Sequence, residues 1–519
     1  MKEAYDIGIV GSGFSGSLLA MIARRLGLSV VLLEKTKHPR FAIGESSTPV
    51  ANLLLEELAT RYDLPRLLPL TKWGTWQRSY PQVSVGLKRG FTFLHHTFDA
   101  PYIDDDRHWH QLLVAASPHD GISDTHWYRP DFDHFLMQEA QQAGADYYDE
   151  TSIHDVAVSN EGATLQCQRH GQSFTVLARF LVDATGPRGF LHRTLQLPEI
   201  ALEHLPPTQG LFTHFTDVQR LEDMAGLTKA EVPPYPLDDA AVHHVFDGGW
   251  MWVLRFNNGI TSAGVAIKDD LAQELRLSEG APAWERLLGR LPTVRQQFET
   301  AHATMPFIHA PRLAFRSGAG VGPGWAMLPS AAGFIDPLLS TGFPLTLLGV
   351  LRLGEALAND WDTPRFTEQL QRYALHTTQE LLAAERMVAA LYANMHDFEL
   401  FAALSLLYFA AASFTETARR LDKPQLAGGF LLHDHPRFGP AARACCERAL
   451  QPLTPSSRAQ LMADIKAAIA PFDVAGLTRT DRHNRYPVDA QDLFAAADKL
   501  GATHEELTNL LARCGFATV

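Results

Sequence analysis

Three short segments hold side chains whose types and spacing bear on chemistry. In Gly86-Leu87-Lys88-Arg89-Gly90 a lysine stands beside an arginine between glycines. It is either a surface lysine in a hairpin or, partly buried among apolar walls, an ammonium with a lowered pKa. The run Ile335-Asp336-Pro337-Leu338-Leu339-Ser340-Thr341-Gly342 ends in small and hydroxyl residues. Their exposed N–H groups would make a nest for a monovalent anion, a carbonyl or an oxyanion. In Trp250-Met251-Trp252 two indoles fall on one face of a strand, where they wall a tunnel or fill a core.

A cofactor loop precedes all three. Asp6-Ile7-Gly8-Ile9-Val10, the turn Gly11-Ser12-Gly13-Phe14-Ser15-Gly16, a helical Leu18 to Leu26 and Ser29 to Glu34 read as a βαβ unit with parallel strands. Gly11 permits the tight bend, Gly13 lets the backbone approach a pyrophosphate, and Gly16 lets helix and strand pack. The helix start, with Phe14 and Ser15, offers N–H groups and a positive dipole end. Glu34, 18 residues after Gly16, stands where a carboxylate accepts ribose hydroxyls. The pattern points to an adenine dinucleotide.

Pro39-Arg40-Phe41-Ala42-Ile43-Gly44-Glu45-Ser46-Ser47-Thr48-Pro49 and Leu181-Val182-Asp183-Ala184-Thr185-Gly186 resemble segments of the group A flavin monooxygenases, as does Tyr128-Arg129-Pro130-Asp131-Phe132-Asp133. The resemblance implies FAD rather than NAD, with Arg40, Ser46, Arg129, Asp183 and Gly186 at the cofactor. The same segments, together with Gly86 to Phe91, Gly248 to Asn258 and Gly333 to Gly342, resemble one family specifically. That family is the flavin-dependent halogenases, in the branch acting on phenols and pyrroles. It implies that reduced FAD forms a hydroperoxide with oxygen, that chloride or bromide is turned into hypohalous acid, and that Lys88 presents this electrophile to an aromatic substrate. Ser340, Thr341 and Gly342 match the family's halide-binding turn.

Three positions depart from the family pattern. Leu339 stands where the tryptophan-acting branch has a glutamate, so a self-activated ring such as a phenol, aniline or pyrrole is expected. Trp250 and Trp252 are kept in the WxWxIP segment, but Arg255 replaces its proline and is expected to bind an anionic substrate group or to sit in solvent. At Leu328-Pro329-Ser330 the aspartate usual in flavin monooxygenases is missing, and Asp336 is expected to take over part of its contact with the cofactor.

These residues need a scaffold. The sequence implies an α/β protein: a Rossmann-like FAD-binding domain over 1–200 and 315–350, with β segments near 75–130 including a hairpin over Tyr80 to Phe93. A substrate-facing sheet over 200–315 is inserted, and a helical region over 350–519 follows, with apolar residues at three-to-four spacing. The apolar run Leu400 to Phe414 is shorter than the roughly 20 residues of a membrane span and reads as a buried helix.

With 519 residues, 46% hydrophobic, the chain can bury a large core. A net charge of −13 and no basic run speak against nucleic acid. Arg419 and Arg420 are the one local basic patch considered for a carrier protein. Cys167, Cys445, Cys446 and Cys514 suggest neither a disulfide framework nor a zinc site. The opening residues leave no room for a leader before the first strand, and a cytoplasmic enzyme is expected. His95-His96, His108-Trp109-His110 and His433-Asp434-His435 lack metal-site spacing, so no metal is expected.

The leading reading is a halogenase served by a separate flavin reductase, since no second nucleotide loop is present, acting on a free or carrier-tethered aromatic. The alternatives are a flavin monooxygenase or dehydrogenase of halogenase fold that uses no halide, and a geranylgeranyl-reductase-like flavoprotein whose Leu400 to Phe414 helix lines a greasy channel.

Overall fold

The computed structural model describes residues 4–224 and 232–516. Strand β1 (Tyr5–Val10), helix α1 (Phe14–Arg25) and strand β2 (Val30–Leu33) form the βαβ unit, with Ile7 opposite Val30 and Val10 opposite Leu33. Every residue of β2 is buried, as a strand covered on both faces requires. On its other side β1 pairs in parallel with Gln172–Asp183, which pairs in turn with Trp325–Met327. The carboxyl ends Val10, Asp183 and Met327 therefore share one edge of the sheet. The loops that follow them converge there, the usual ligand position in an open parallel sheet.

The hairpin expected over Tyr80 to Phe93 does not form. Strand β3 (Val85–Lys88) and strand β4 (Gly90–His95) are separated by Arg89 alone and join different sheets. Strand β5 (Gln111–Ala115) pairs with β4, and strand β6 (Asp124–Trp127) pairs antiparallel with β3. Gly90 makes the step possible: a Cβ there would lie 2.3 Å from the Val114 carbonyl oxygen. Strands β4 and β5, expected with the cofactor domain, thus extend the second sheet. That sheet runs His302–Ala303, Thr208–Thr216, Thr261–Lys268, Gly249–Arg255, Ala241–Phe246, β4, β5 and Arg485–Tyr486.

The helices that follow include Gly342–Asp360, Arg365–Ala393 and Phe398–Arg420. The last is long and apolar enough to cross a membrane, and 72% of its apolar window is buried against the protein. A helix apolar all round is stable in a core, and here Phe401 packs edge-on against Phe93 of the second sheet. The Arg419–Arg420 patch is neutralised: Arg419 pairs with Glu57, and Arg420 with Glu416 and Glu56.

Candidate active site

A cavity of about 440 Å³ lies at the carboxyl edge of the first sheet, lined by Gly13, Phe14 and Ser15, by Arg40, by Ala42 to Ser46, by Arg129 and by Ala184 to Arg188. The first N–H groups of α1 have no intrahelical partner and no side-chain cap, so they are free to bind an anion. Gly13 faces two guanidiniums: a Cβ there would sit 3.5 Å from Arg129 Nη2 and 3.8 Å from Arg40 Nη2. Gly11 has φ +100°, and a Cβ would lie 2.7 Å from the Ala184 carbonyl oxygen, so the bend demands glycine. Gly16 is equally constrained, its Cβ position being 2.0 Å from the Gly11 carbonyl oxygen.

The charged residues of this end hold one another. Glu34 accepts from Ser12 N at 3.1 Å, Thr36 N at 3.1 Å and Arg40 Nη2 at 3.0 Å. Burial alone would raise its pKa, but the Arg40 charge and these N–H groups hold it near 2. Glu34 therefore stands behind Arg40 and does not itself line the cavity. Arg129 is buried, forks onto Asp133 at 2.8 Å through both Nε and Nη2, and donates to the Ile43 and Gly44 carbonyls at 3.1 and 2.9 Å. It thereby fixes the loop that carries Ser46.

Two expected contacts turn out to be internal. Asp183 accepts from Thr185 N and Oγ1 and from Leu191 N, shaping the turn that presents Gly186 to the cavity. Asp336 points away from the cavity, accepting from Trp250 Nε1 at 3.2 Å, Tyr392 OH at 3.0 Å and Leu338 N at 2.9 Å. It pins the turn from Leu338 to Ser340 instead of replacing the missing aspartate, and burial pushes its carboxyl up to about 7. In that turn Leu339 and Ser340 are both left-handed, at φ 63° and 54°, and Thr341 is the N-cap of the helix Gly342–Asp360. Ser340 and Gly342 line the cavity; the Thr341 side chain is buried behind them. A Cβ on Gly342 would meet nothing within 4 Å.

Arg255 is neither free in solvent nor at the cavity. It pairs with buried Asp238 at 2.8 Å and donates to the Val218 and Gln219 carbonyls. Trp250 and Trp252 do line the cavity and continue a stack of rings. Phe93 lies 4.4 Å from His243 between ring centroids, and His243 lies 5.1 Å from Trp250.

A second cavity of about 210 Å³ is lined by Phe91, which stacks on Phe93 and His243, and by Asp124, Tyr408, Phe409, Glu416 and Arg420 among others. Lys88 stands between the two. It is 0% exposed, and its ammonium donates to Ser46 Oγ at 2.8 Å and to the Ser47 carbonyl. Its Nζ lies 3.8 Å from the centre of the Phe91 ring. Ser46 belongs to the lining of the first cavity and Phe91 to that of the second. Burial pushes the Lys88 pKa down, to about 7.

The family described as tryptophan halogenase matches residues 123–397, more than half of the chain, and an NAD(P)-binding Rossmann-like domain matches residues 9–54. Monodechloroaminopyrrolnitrin halogenase PrnC of Pseudomonas fluorescens is 30% identical over 415 residues, covering 78% of this chain and 70% of that protein. The chain belongs to the flavin-dependent halogenases. Tetracycline 7-halogenase of Kitasatospora aureofaciens is 31% identical over 73% of this chain and 69% of its own length. The structure of halogenase PltM in complex with phloroglucinol and FAD superposes with a TM-score of 0.82 at 25% identity, covering 92% of this chain and 99% of that one.

As a member of this family the protein is an FAD-dependent enzyme, and the first cavity fits the cofactor. It offers free helix amides, a cradle at Gly13 that a methyl group would fill, and two buried polar atoms without partners among the described residues, Arg40 Nε and Glu45 Oε2. Glu45 went unassigned in the sequence; its other oxygen is 3.0 Å from His214 Nε2 on the second sheet. His243, Phe91 and Asp124 were also missed. Their strand pattern is legible, but which cavity a strand residue faces is set by pairing with distant strands, across 150 positions for Phe93 and His243 and 36 for Lys88 and Asp124.

Glu34→Ala is expected to weaken FAD binding by about 1–3 kcal/mol, through release of Arg40, which lines the cavity. Titration of FAD into apoenzyme reads this directly, and unchanged affinity would remove Glu34 from the site.

Proposed function

We propose that this enzyme halogenates an electron-rich aromatic ring, using FAD reduced by a separate flavin reductase, with oxygen and chloride or bromide. The observation that carries the reading is Lys88, a fully buried ammonium in contact with residues of both cavities. FAD in the first cavity supplies the oxygen activation from which hypohalous acid arises. The protein does the rest. The α1 amides and the guanidiniums of Arg40 and Arg129 favour an anionic pyrophosphate. The Ser340 hydroxyl and the amides opening the helix Gly342–Asp360 offer a halide nest. Lys88 holds hypohalous acid by a charged hydrogen bond and directs it into the second cavity.

A phenol is the ring class best supported. Leu339 leaves the turn without a carboxylate to activate a substrate, and the second cavity is walled by the rings of Phe91, Tyr408 and Phe409. Among relatives, one is named for tetracycline and the PltM structure holds phloroglucinol. A pyrrole, an aniline or a carrier-tethered ring is the alternative within the same chemistry. The halide-free monooxygenase reading loses its support from Arg255, which is clamped to Asp238. The lipid-reductase reading keeps the apolar helix Phe398–Arg420 but leaves Asp124, Glu416 and Arg420 in that cavity without a task. We place the enzyme in the cytoplasm, in keeping with four free cysteines and the burial of its one apolar helix among the described residues.

The test is an omission series: enzyme, FAD, NADH, flavin reductase, oxygen and bromide or chloride with a panel of phenols, pyrroles and anilines. Product is expected only when reductase and halide are both present. Oxygenated product without halide would overturn the reading. Gly342→Ala, which places a methyl group in open space at the turn, is expected to raise the halide concentration needed for half-maximal rate several-fold without changing the fold. An unchanged halide dependence would detach the turn from the anion.

A further inference from the structure

Asp124 is the acid in the second cavity to which nothing above gives a task. It stands directly opposite Lys88 in the antiparallel β3–β6 register. Opposed residues of such a pair project from the same face with Cβ atoms about 4.5–5.5 Å apart. Yet the two make no ion pair among the described residues. Lys88 is drawn to Ser46 and Ser47, while Asp124 Oδ1 accepts from Asn52 Nδ2 at 2.8 Å. The second oxygen of Asp124 accepts no hydrogen bond from the described residues, and the side chain lines the cavity beside Phe91. The nearby Glu416 differs, being matched by Arg420 at 2.8 Å.

Resting on the halogenase reading, we propose that Asp124 is the base that takes the hydroxyl proton of a phenolic substrate held in this cavity. The step balances as follows. The phenol O–H proton passes to the Asp124 carboxylate as the ring carbon bonds to the halogen of hypohalous acid and the O–halogen bond breaks. The departing hydroxide takes a proton from the Lys88 ammonium and leaves as water. The neutral Lys88 amine then accepts the proton from the halogenated ring carbon, and Asp124 returns its proton to the ring oxygen. Both groups end as they began, and the sum is phenol plus hypohalous acid giving halophenol plus water. The two groups stand on one face of the strand pair, each anchored elsewhere, and Asp124 lines the cavity proposed for the ring. A charged oxygen donates electron density to the ring far more strongly than a hydroxyl, which is how a cavity without a glutamate in the anion turn still activates its substrate.

Asp124→Asn keeps the size and the acceptor for Asn52 and removes the base. With reductase, FAD, oxygen and bromide, its rate on a phenol un-ionised at the assay pH is expected to fall on the order of 10²-fold or more. On a fluorinated phenol already ionised in solution the loss should shrink to a few-fold, with FAD binding unchanged. Asp124→Glu should recover part of the activity on the first phenol. An undiminished rate in Asp124→Asn, or an equal loss on both phenols, would overturn the assignment while leaving the halogenase reading intact. Wild-type enzyme that halogenates no phenol would remove both.

Discussion

The Lys88→Met enzyme is expected to bind FAD as tightly as wild type and to consume oxygen, yet to form halogenated product on the order of 10²–10⁴-fold more slowly, the usual contribution of a group that holds and moves protons at the reacting atoms. Methionine fills the space of the lysine stem without its charge. The loss should come with no loss of stability, because a fully buried ammonium is costly and its removal relieves that cost. Activity lost while the melting temperature is held or raised distinguishes a catalytic lysine from a structural one. If Lys88→Met lost both together, the ammonium would be a tie between the Ser46 loop and β3, and the site would need another presenter of the electrophile. The pH profile adds a sign. Burial holds the Lys88 pKa below the ordinary lysine value, so the ammonium donor is depleted at a lower pH than in a free lysine and the product rate should fall on the alkaline side.

The second large effect belongs to Asp336. Its carboxyl gathers Trp250 Nε1, Tyr392 OH and Leu338 N, joining the aromatic wall, a C-terminal helix and the anion turn. Asp336→Ala takes the acceptor from Leu338 N and leaves Trp250 Nε1 and Tyr392 OH only their remaining contacts, to Tyr392 OH at 3.2 Å and the Ala266 carbonyl at 3.3 Å, and is expected to cost about 2–4 kcal/mol of stability. Leu339 and Ser340 hold left-handed conformations that side-chain-bearing residues disfavour, so the turn they form would be the first part to relax. Asp336→Asn should be milder and should reveal a pH effect. The folded carboxyl titrates near 7 against an ordinary 3.8, so between these values the folded state holds a proton that the unfolded state has lost. Wild-type stability therefore falls with rising pH across that window through this group, and the difference between Asp336→Asn and wild type should shift in favour of the variant. Denaturant melts at pH 4 and pH 7 measure it. An alanine variant as stable as wild type would mean that the network carries no load.

Much of the cofactor half was legible in the chain because its rules are local. Gly11 and Gly16 stand where backbone approaches leave no room for a Cβ, and the alternation of β1, α1 and β2 is written in consecutive residues. The position of Lys88 was readable from its glycine-flanked segment and the family resemblance, but its complete burial was not. That burial follows from β3 and β4 parting at Arg89, a step that in sequence looks like a hairpin. Arg255 and Asp336 misled for one reason. A charged residue beside a motif looks like a ligand contact until its partner is known, and the partners Asp238, Trp250 and Tyr392 come from other parts of the chain. Asp124 was passed over because one acid in a short strand next to the motif Tyr128 to Asp133 has no pattern of its own. Its meaning lies in the register with Lys88.

The most direct test of the account is the mass spectrum of the ring product formed by wild-type enzyme with FAD, flavin reductase, NADH, oxygen, bromide and a phenol. Bromine's paired isotope peaks in that product, lost in Lys88→Met, are the result predicted here. A product that carries oxygen and no halogen, or bromination undiminished in Lys88→Met, would contradict it.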